Sequence, residues 1–148
     1  MARYSTTVTS PITPDAAFDS LADFATVADW DPGVSRAVRV DSGDLVVGSA
    51  FDVDVALGGR DVTFRYVITE LARPDRVVLR AKRGPMVSLD TITVEPGPDG
   101  GSRVTYDAVL ELRGVLKVAD PLLALGFGKV GDRAAAGLAD HLDGSVTS

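Results

Sequence analysis

A chain of 148 residues is long enough for one domain with a real core and short for two. Its 45% hydrophobic and 24% charged residues exclude a disordered chain, and no apolar run reaches the ~20 residues of a membrane helix. A formal net charge of −6 with pI ≈ 4.6 repels a phosphate backbone, so nucleic acid is not an expected partner, and the lack of cysteine removes disulfides and thiolate ligands.

The first residues, "MARYSTTVTSPITP", carry no apolar signal core, and a cytoplasmic location is the expectation. Preference for Arg, Ala, Val, Gly and Asp over Lys, Asn and Ile has the look of a GC-rich bacterial chain. Tyr4, Thr6 and Val8 alternate with Arg3, Ser5, Thr7 and Thr9, which predicts a strand over 3–9. In "SPITPDAAFDSLADF" the period changes. Thr13 is a cap, Pro14 fits the first helical position, Asp15 complements the helix dipole, and Ala17, Phe18, Leu21 and Ala22 make an apolar stripe. "FATVADW" predicts a second short helix, stopped by Asp31-Pro32-Gly33. From Val34 the period is two, and strands are predicted over 35–41, 49–57, 60–70, 76–83, 86–95 and 102–113. The turns between them are short and rich in Gly, Pro and Asp, as in an antiparallel meander. Asp120 and Pro121 open a helix over 120–143, and the tail 144–148 is expected to fray. The expected fold is one α+β domain over 1–148. A curved antiparallel sheet of about seven strands, with two short helices between strands 1 and 2, wraps around the long C-terminal helix.

The Gly58-Gly59 turn fixes a register. It sets Leu57 opposite Arg60, Val55 opposite Val62, Val53 opposite Phe64 and Phe51 opposite Tyr66. The other face then pairs Asp54 with Thr63 and Asp52 with Arg65, a solvated face rather than a metal site. In 102–113 the inner face is Val104, Tyr106, Ala108, Leu110 and Leu112. In 86–95, taking Ile92 and Val94 inward carries Met86, Ser88 and Asp90 inward too, which brings Asp90 beside Tyr106, directly opposite or one diagonal away. The opposite parity, with Val87, Leu89 and Thr91 inward, is equally apolar, and a bulge also turns Asp90 outward. Both orientations stay open at the level of sequence.

On the last helix, Leu123, Phe127, Val130, Ala134 and Leu138 form one stripe at ~100° per residue. His141, the sole histidine, falls within it. It either faces the sheet or sits half exposed at a helix end that favours it; alone, it is a poor metal site. "LGFGKVGDRAAAGL" contains G-x-G-x-x-G at Gly126, Gly128 and Gly131. A dinucleotide site needs a strand before that motif and a βαβ unit after it, and neither fits here. On a helix each glycine costs up to ~1 kcal/mol relative to Ala. These glycines, with Gly137, provide either pliancy beside a ligand or close packing on the sheet. No G-x-S-x-G elbow and no Walker loop occur.

Such a sheet leaves space between itself and the helix. "SPITPDAAFDSLADFATVADWDPGV" (10–34), "VITELARPDRVVLRA" (67–81), "DTITVEP" with "GSRVTYDAVLELRG" (90–114) and "DPLLALGF…AAAGLADHL" (120–142) resemble the START-like, Bet v 1-like superfamily, specifically its bacterial polyketide cyclase/dehydrase-type members. The resemblance covers nearly the whole chain and rests on turn and core patterns. It implies the helix-grip fold and an apolar cavity holding a lipid, polyketide or similar hydrophobic small molecule. It does not imply one activity, because the superfamily spans carriers, sensors, cyclases and chaperone-activating interaction domains.

The expected lining is Trp30, Phe51, Phe64, Tyr66, Leu79, Ser88, Asp90, Ile92, Tyr106 and Ala108 from sheet and short helices, with Leu123, Phe127, Val130, Ala134 and His141 from the last helix. A cyclase or dehydrase would use Asp90 as base, its pKa raised by an apolar cavity, with Tyr66 and Tyr106 donating to a carbonyl. As pure binding residues, the same tyrosines only line the cavity. Trp30 lines its mouth or anchors the short helices, and Arg83 greets a ligand carboxylate or is a solvated turn residue. No metal and no cofactor is expected, and the sequence leaves the oligomeric state open.

Overall fold

The computed structural model describes residues 2–57, 59–113 and 120–147, with the backbone alone described for Leu57 and 120–129. Strand β1 (Ala2–Ser10) leads to α1 (Pro14–Ala22), a 3-10 turn at Phe24–Thr26 and α2 (Val27–Trp30). Next come β2 (Val34–Arg39), β3 (Ala50–Leu57), β4 (Arg60–Ala72), β5 (Arg76–Arg83), β6 (Met86–Pro96) and β7 (Ser102–Leu112). Helix α3 (Asp120–His141) and a two-residue strand β8 (Ser145–Val146) finish the chain. The punctuation read from sequence sets these ends. Thr13 Oγ1 accepts from the Ala16 N–H at 3.4 Å with Pro14 in the first turn, and the Asp23 carboxylate caps the 3-10 turn.

Strands β2 to β7 form the expected meander, and β1 returns to pair with β7, giving the order β2-β3-β4-β5-β6-β7-β1-β8 with every pair antiparallel. The tail differs from expectation. Gly144 follows Asp143, whose φ is 53°, and the chain then adds β8 to the β1 edge. Thr147 N–H donates to the Thr7 carbonyl at 2.8 Å, so residues 145–147 are held rather than frayed. The described residues therefore give eight strands.

The Gly58-Gly59 register is the one observed, from Leu57–Arg60 through Phe51–Tyr66. On the outer face Arg65 grips Asp52 with two hydrogen bonds of 2.9 and 3.0 Å, and Thr63 Oγ1 donates to Asp54 at 2.6 Å. Both partners of the ion pair are open to solvent, where screening leaves such pairs little net effect. Asp52→Ala is accordingly expected to leave the urea unfolding midpoint nearly unchanged.

The inner face forms the core with α1, α2 and α3. Phe18, Leu21, Phe24 and Trp30 from the short helices pack with Phe51, Phe64, Ile68, Leu79 and Ile92 from the sheet. Over 130–142 the phase of α3 differs in part from the sequence reading: Ala134 and Leu138 of the expected stripe are buried, but Val130 is not. Among residues 130–141 the buried ones are Gly131, Ala134, Ala135, Leu138 and Ala139, with Leu142 just beyond, while Val130 is 47% exposed. The stripe follows the larger aliphatic side chains. The helix instead settles where its glycines allow backbone contact: a Cβ at Gly131 would run into the Tyr4 ring, and one at Gly137 into the Trp30 carbonyl oxygen. Both glycines are closely packed, Gly131 on Tyr4 of the sheet and Gly137 on the α2 backbone rather than on the sheet. For Gly126 and Gly128 only the helical backbone is described.

Candidate functional site

The register places the polar groups of the inner face within reach of one another. In the ladder, Tyr66 lies opposite Ala81, and Ala81 opposite Ser88. The small Ala81 lets the Tyr66 ring lean across β5, and its hydroxyl shares a 2.6 Å hydrogen bond with Ser88 Oγ. Ser88 and Asp90 point the same way on β6, and Ser88 Oγ donates to Asp90 Oδ1 at 3.2 Å. Asp90 lies opposite Ala108, another small residue. Tyr106, one diagonal away, donates to Asp90 Oδ2 at 2.7 Å. The parity left open by the sequence is thus the inward one, with Asp90 only 4% exposed.

Aromatic rings enclose this network. Trp30 stands edge-on to Tyr106 with centroids 5.1 Å apart, and Phe24 packs against Tyr66 at 5.1 Å. Burial in this apolar shell pushes the Asp90 carboxyl up to about 7, against the opposing pull of the Tyr106 and Ser88 hydroxyls. Burial, and then the charge of Asp90, raise both Tyr66 and Tyr106 well above the ordinary phenol range, so both stay protonated. A buried acid poised near neutrality and held by fixed donors can accept or return a proton at physiological pH.

A further carboxyl, Asp31, reads in the sequence only as a helix stop. Burial raises its pKa, opposed by the Gly33 N–H that it accepts at 2.8 Å. Its charge reaches Asp90, Tyr66 and Tyr106 and raises all three. The "DPG" turn that follows α2 is its only sequence signal, since nearness to Asp90 is made by the tertiary fold.

Of the expected lining, Trp30, Phe51, Phe64, Tyr66, Leu79, Ile92, Tyr106, Ala108 and Ala134 share one buried cluster, with Ser88 and Asp90 buried beside them. Val130 faces out and does not belong to it. His141 is half-buried against α1, where its Nε2 lies 2.9 Å from Ser20 Oγ, rather than in the Asp90 network. It falls on the flank of the helix once the buried stripe is placed on Ala134, Ala135 and Leu138. The side chains of Leu123 and Phe127 lie outside the described residues. Arg83 is exposed and donates to the Thr63 carbonyl at 3.1 Å. No grouping of three or more His, Cys, Asp or Glu suited to a metal occurs among the described residues. An open cleft of about 480 Å3 lies elsewhere, between Ser10, Pro11, Pro98, Asp99 and Asp143.

A protein family described as polyketide cyclase/dehydrase and lipid transport matches residues 1–143. Among curated proteins nothing matches the chain. Solved structures do. A START superfamily protein from Mycobacterium smegmatis is 14% identical, with 97% of this chain and 98% of that one covered at a TM-score of 0.78. A Thermus thermophilus protein, also 14% identical, covers 95% of each chain at 0.73. The major latex-like protein 151 of Panax ginseng is 12% identical over 89% of this chain and 97% of that one, at 0.59. At such identities the likeness concerns the fold.

Proposed function

We propose a function from one premise: the chain belongs to the polyketide cyclase/dehydrase and lipid-transport family, whose fold binds hydrophobic ligands. The protein holds an apolar small molecule, a lipid, polyketide or similar compound, on the inner face of its sheet beside Asp90. The observation that carries this is the buried Tyr66–Ser88–Asp90–Tyr106 network. A carboxyl in an apolar core is costly, and a core built only for stability has no use for one.

The same network favours a second reading, cyclase- or dehydrase-type chemistry. In a dehydration, Asp90 takes the proton from the carbon beside a ligand carbonyl. It then returns that proton to the departing hydroxyl, which leaves as water while the electron pair forms the new double bond. Tyr106 and Ser88 hold the carboxylate through their own protons, and Tyr66 acts through Ser88. They are positioning residues in this reading, whereas the sequence alone casts the tyrosines as carbonyl donors. A protein-docking role would rest on the exposed Val38, Val40, Val46 and Val47 around β2, and it leaves the buried network without a purpose.

Native mass spectrometry of the purified protein tests the binding reading. The expected result is a bound apolar molecule that dissociates on denaturation, or saturable Nile red emission from ligand-free protein. Absence of both would overturn it. Turnover of a β-hydroxyketone that Asp90→Asn abolishes while Nile red still binds would support the enzymatic reading.

A further inference from the structure

Among the described residues, three buried side-chain atoms have no hydrogen-bond partner: Thr6 Oγ1, Ser102 Oγ and Trp30 Nε1. The two hydroxyls are free to turn and can either donate or accept. The indole N–H is different: it only donates, on a rigid ring, and Trp30 is 2% exposed. A buried donor left without a partner costs about 1–3 kcal/mol, and a buried Trp ordinarily finds one. Trp30 is held at its backbone and at its ring. The α3 backbone at Gly137 presses on the Trp30 carbonyl, and the indole stands edge-on to Tyr106, the residue that donates to Asp90.

The hydroxyls of the network beside it have no proton to spare for a ligand oxygen. Tyr106 and Ser88 spend theirs on the Asp90 carboxylate, and the Tyr66 hydroxyl is engaged with Ser88. Below about pH 7 the Asp90 proton is one donor open to the oxygen of an apolar ligand held here; among the described residues, the fixed donor beside it with no partner is the Trp30 indole N–H. We propose that the Trp30 indole N–H is the hydrogen-bond donor to the ligand's oxygen, so that the site selects apolar molecules bearing a carbonyl over hydrocarbons of the same shape. This rests on the ligand-site reading above and adds its polar specificity.

The sole tryptophan of the chain gives a single indole N–H resonance, which makes the contact directly readable. Two probes that differ only by a carbonyl oxygen in place of two hydrogens, 2-acetylnaphthalene and 2-ethylnaphthalene, are titrated into 15N-labelled protein. The expected result is about tenfold tighter binding of the ketone, the effect of one buried hydrogen bond, with a downfield shift of the indole proton that the hydrocarbon does not produce. In Trp30→Phe both probes bind within about twofold of each other. Equal binding of the two probes to wild type, or ketone binding that leaves the indole resonance unmoved, overturns the donor role and leaves the ligand site standing. Binding of neither probe overturns both. Should Trp30→Phe fail to fold, the wild-type resonance and the probe ratio still decide.

Discussion

Asp90→Asn is expected to be more stable than wild type at pH 8 and to lose most of the wild type's stability change between pH 4 and pH 7. In the unfolded chain an aspartate ionises near 3.8, whereas in the fold Asp90 holds its proton up to about 7. Between those values the unfolded state has released a proton that the native state retains, so rising pH favours unfolding. The stabilisation is complete below pH 4, declines as pH rises, and is gone above pH 7. For so buried a group its ceiling is about 4 kcal/mol. The neighbours do not change the sign. Tyr66 and Tyr106 stay protonated throughout, and the charges of Asp31 and Asp107 push in the same direction as burial. Asparagine keeps an oxygen for the Tyr106 hydroxyl and carries no charge to desolvate. Urea unfolding of both proteins at pH 4, 6 and 8 reads the effect. A wild type with flat stability over that span, or a variant less stable at pH 8, would count against a buried, near-neutral Asp90.

The parts of this site that can be read in advance are those with local determinants. A two-residue glycine turn fixes its own register, so the β3–β4 pairs and the outward Asp52–Arg65 pair follow from sequence alone. Asp90 is legible only as a conflict. Both parities of β6 carry apolar residues, and Val87 on the opposite parity is itself buried, so period two cannot choose between them. The choice is made by Ala81 and Ala108, which leave room for the Tyr66 and Tyr106 rings across neighbouring strands. Strand β8 is two residues long, too short to show a period, and the close approach of Gly144 to the Thr9 carbonyl lets it form. Over 130–142 the sequence stripe holds at Ala134 and Leu138 and misses at Val130, because large aliphatic residues dominate a hydrophobic stripe. The contacts that set the rotation of α3 belong to glycines, which add nothing to that signal.

Gly137→Ala is expected to destabilise the protein by about 2–3 kcal/mol, although alanine is the better helix former by about 1 kcal/mol. Propensity loses here because the added Cβ lands on the Trp30 carbonyl oxygen, which is backbone and cannot rotate away. Either α3 or α2 must move. Because Trp30 packs on Tyr106 and Tyr106 holds Asp90, the displacement reaches the candidate site. The emission of the sole tryptophan should therefore shift along with the lowered urea midpoint. Gly131→Ala provides the graded comparison. Its Cβ meets the ring of Tyr4, a half-exposed side chain bonded at its tip to Asp132 at 3.0 Å. That ring can swing toward solvent at the loss of one exposed hydrogen bond, so the penalty is smaller and Trp30 emission stays put. A rise in stability at position 137 would mean that α3 has room to spare there, and would restore the reading of these glycines as a yielding wall. A loss confined to position 137 identifies the α2–α3 backbone contact as what holds Trp30, and with it the Tyr106–Asp90 pair, in place.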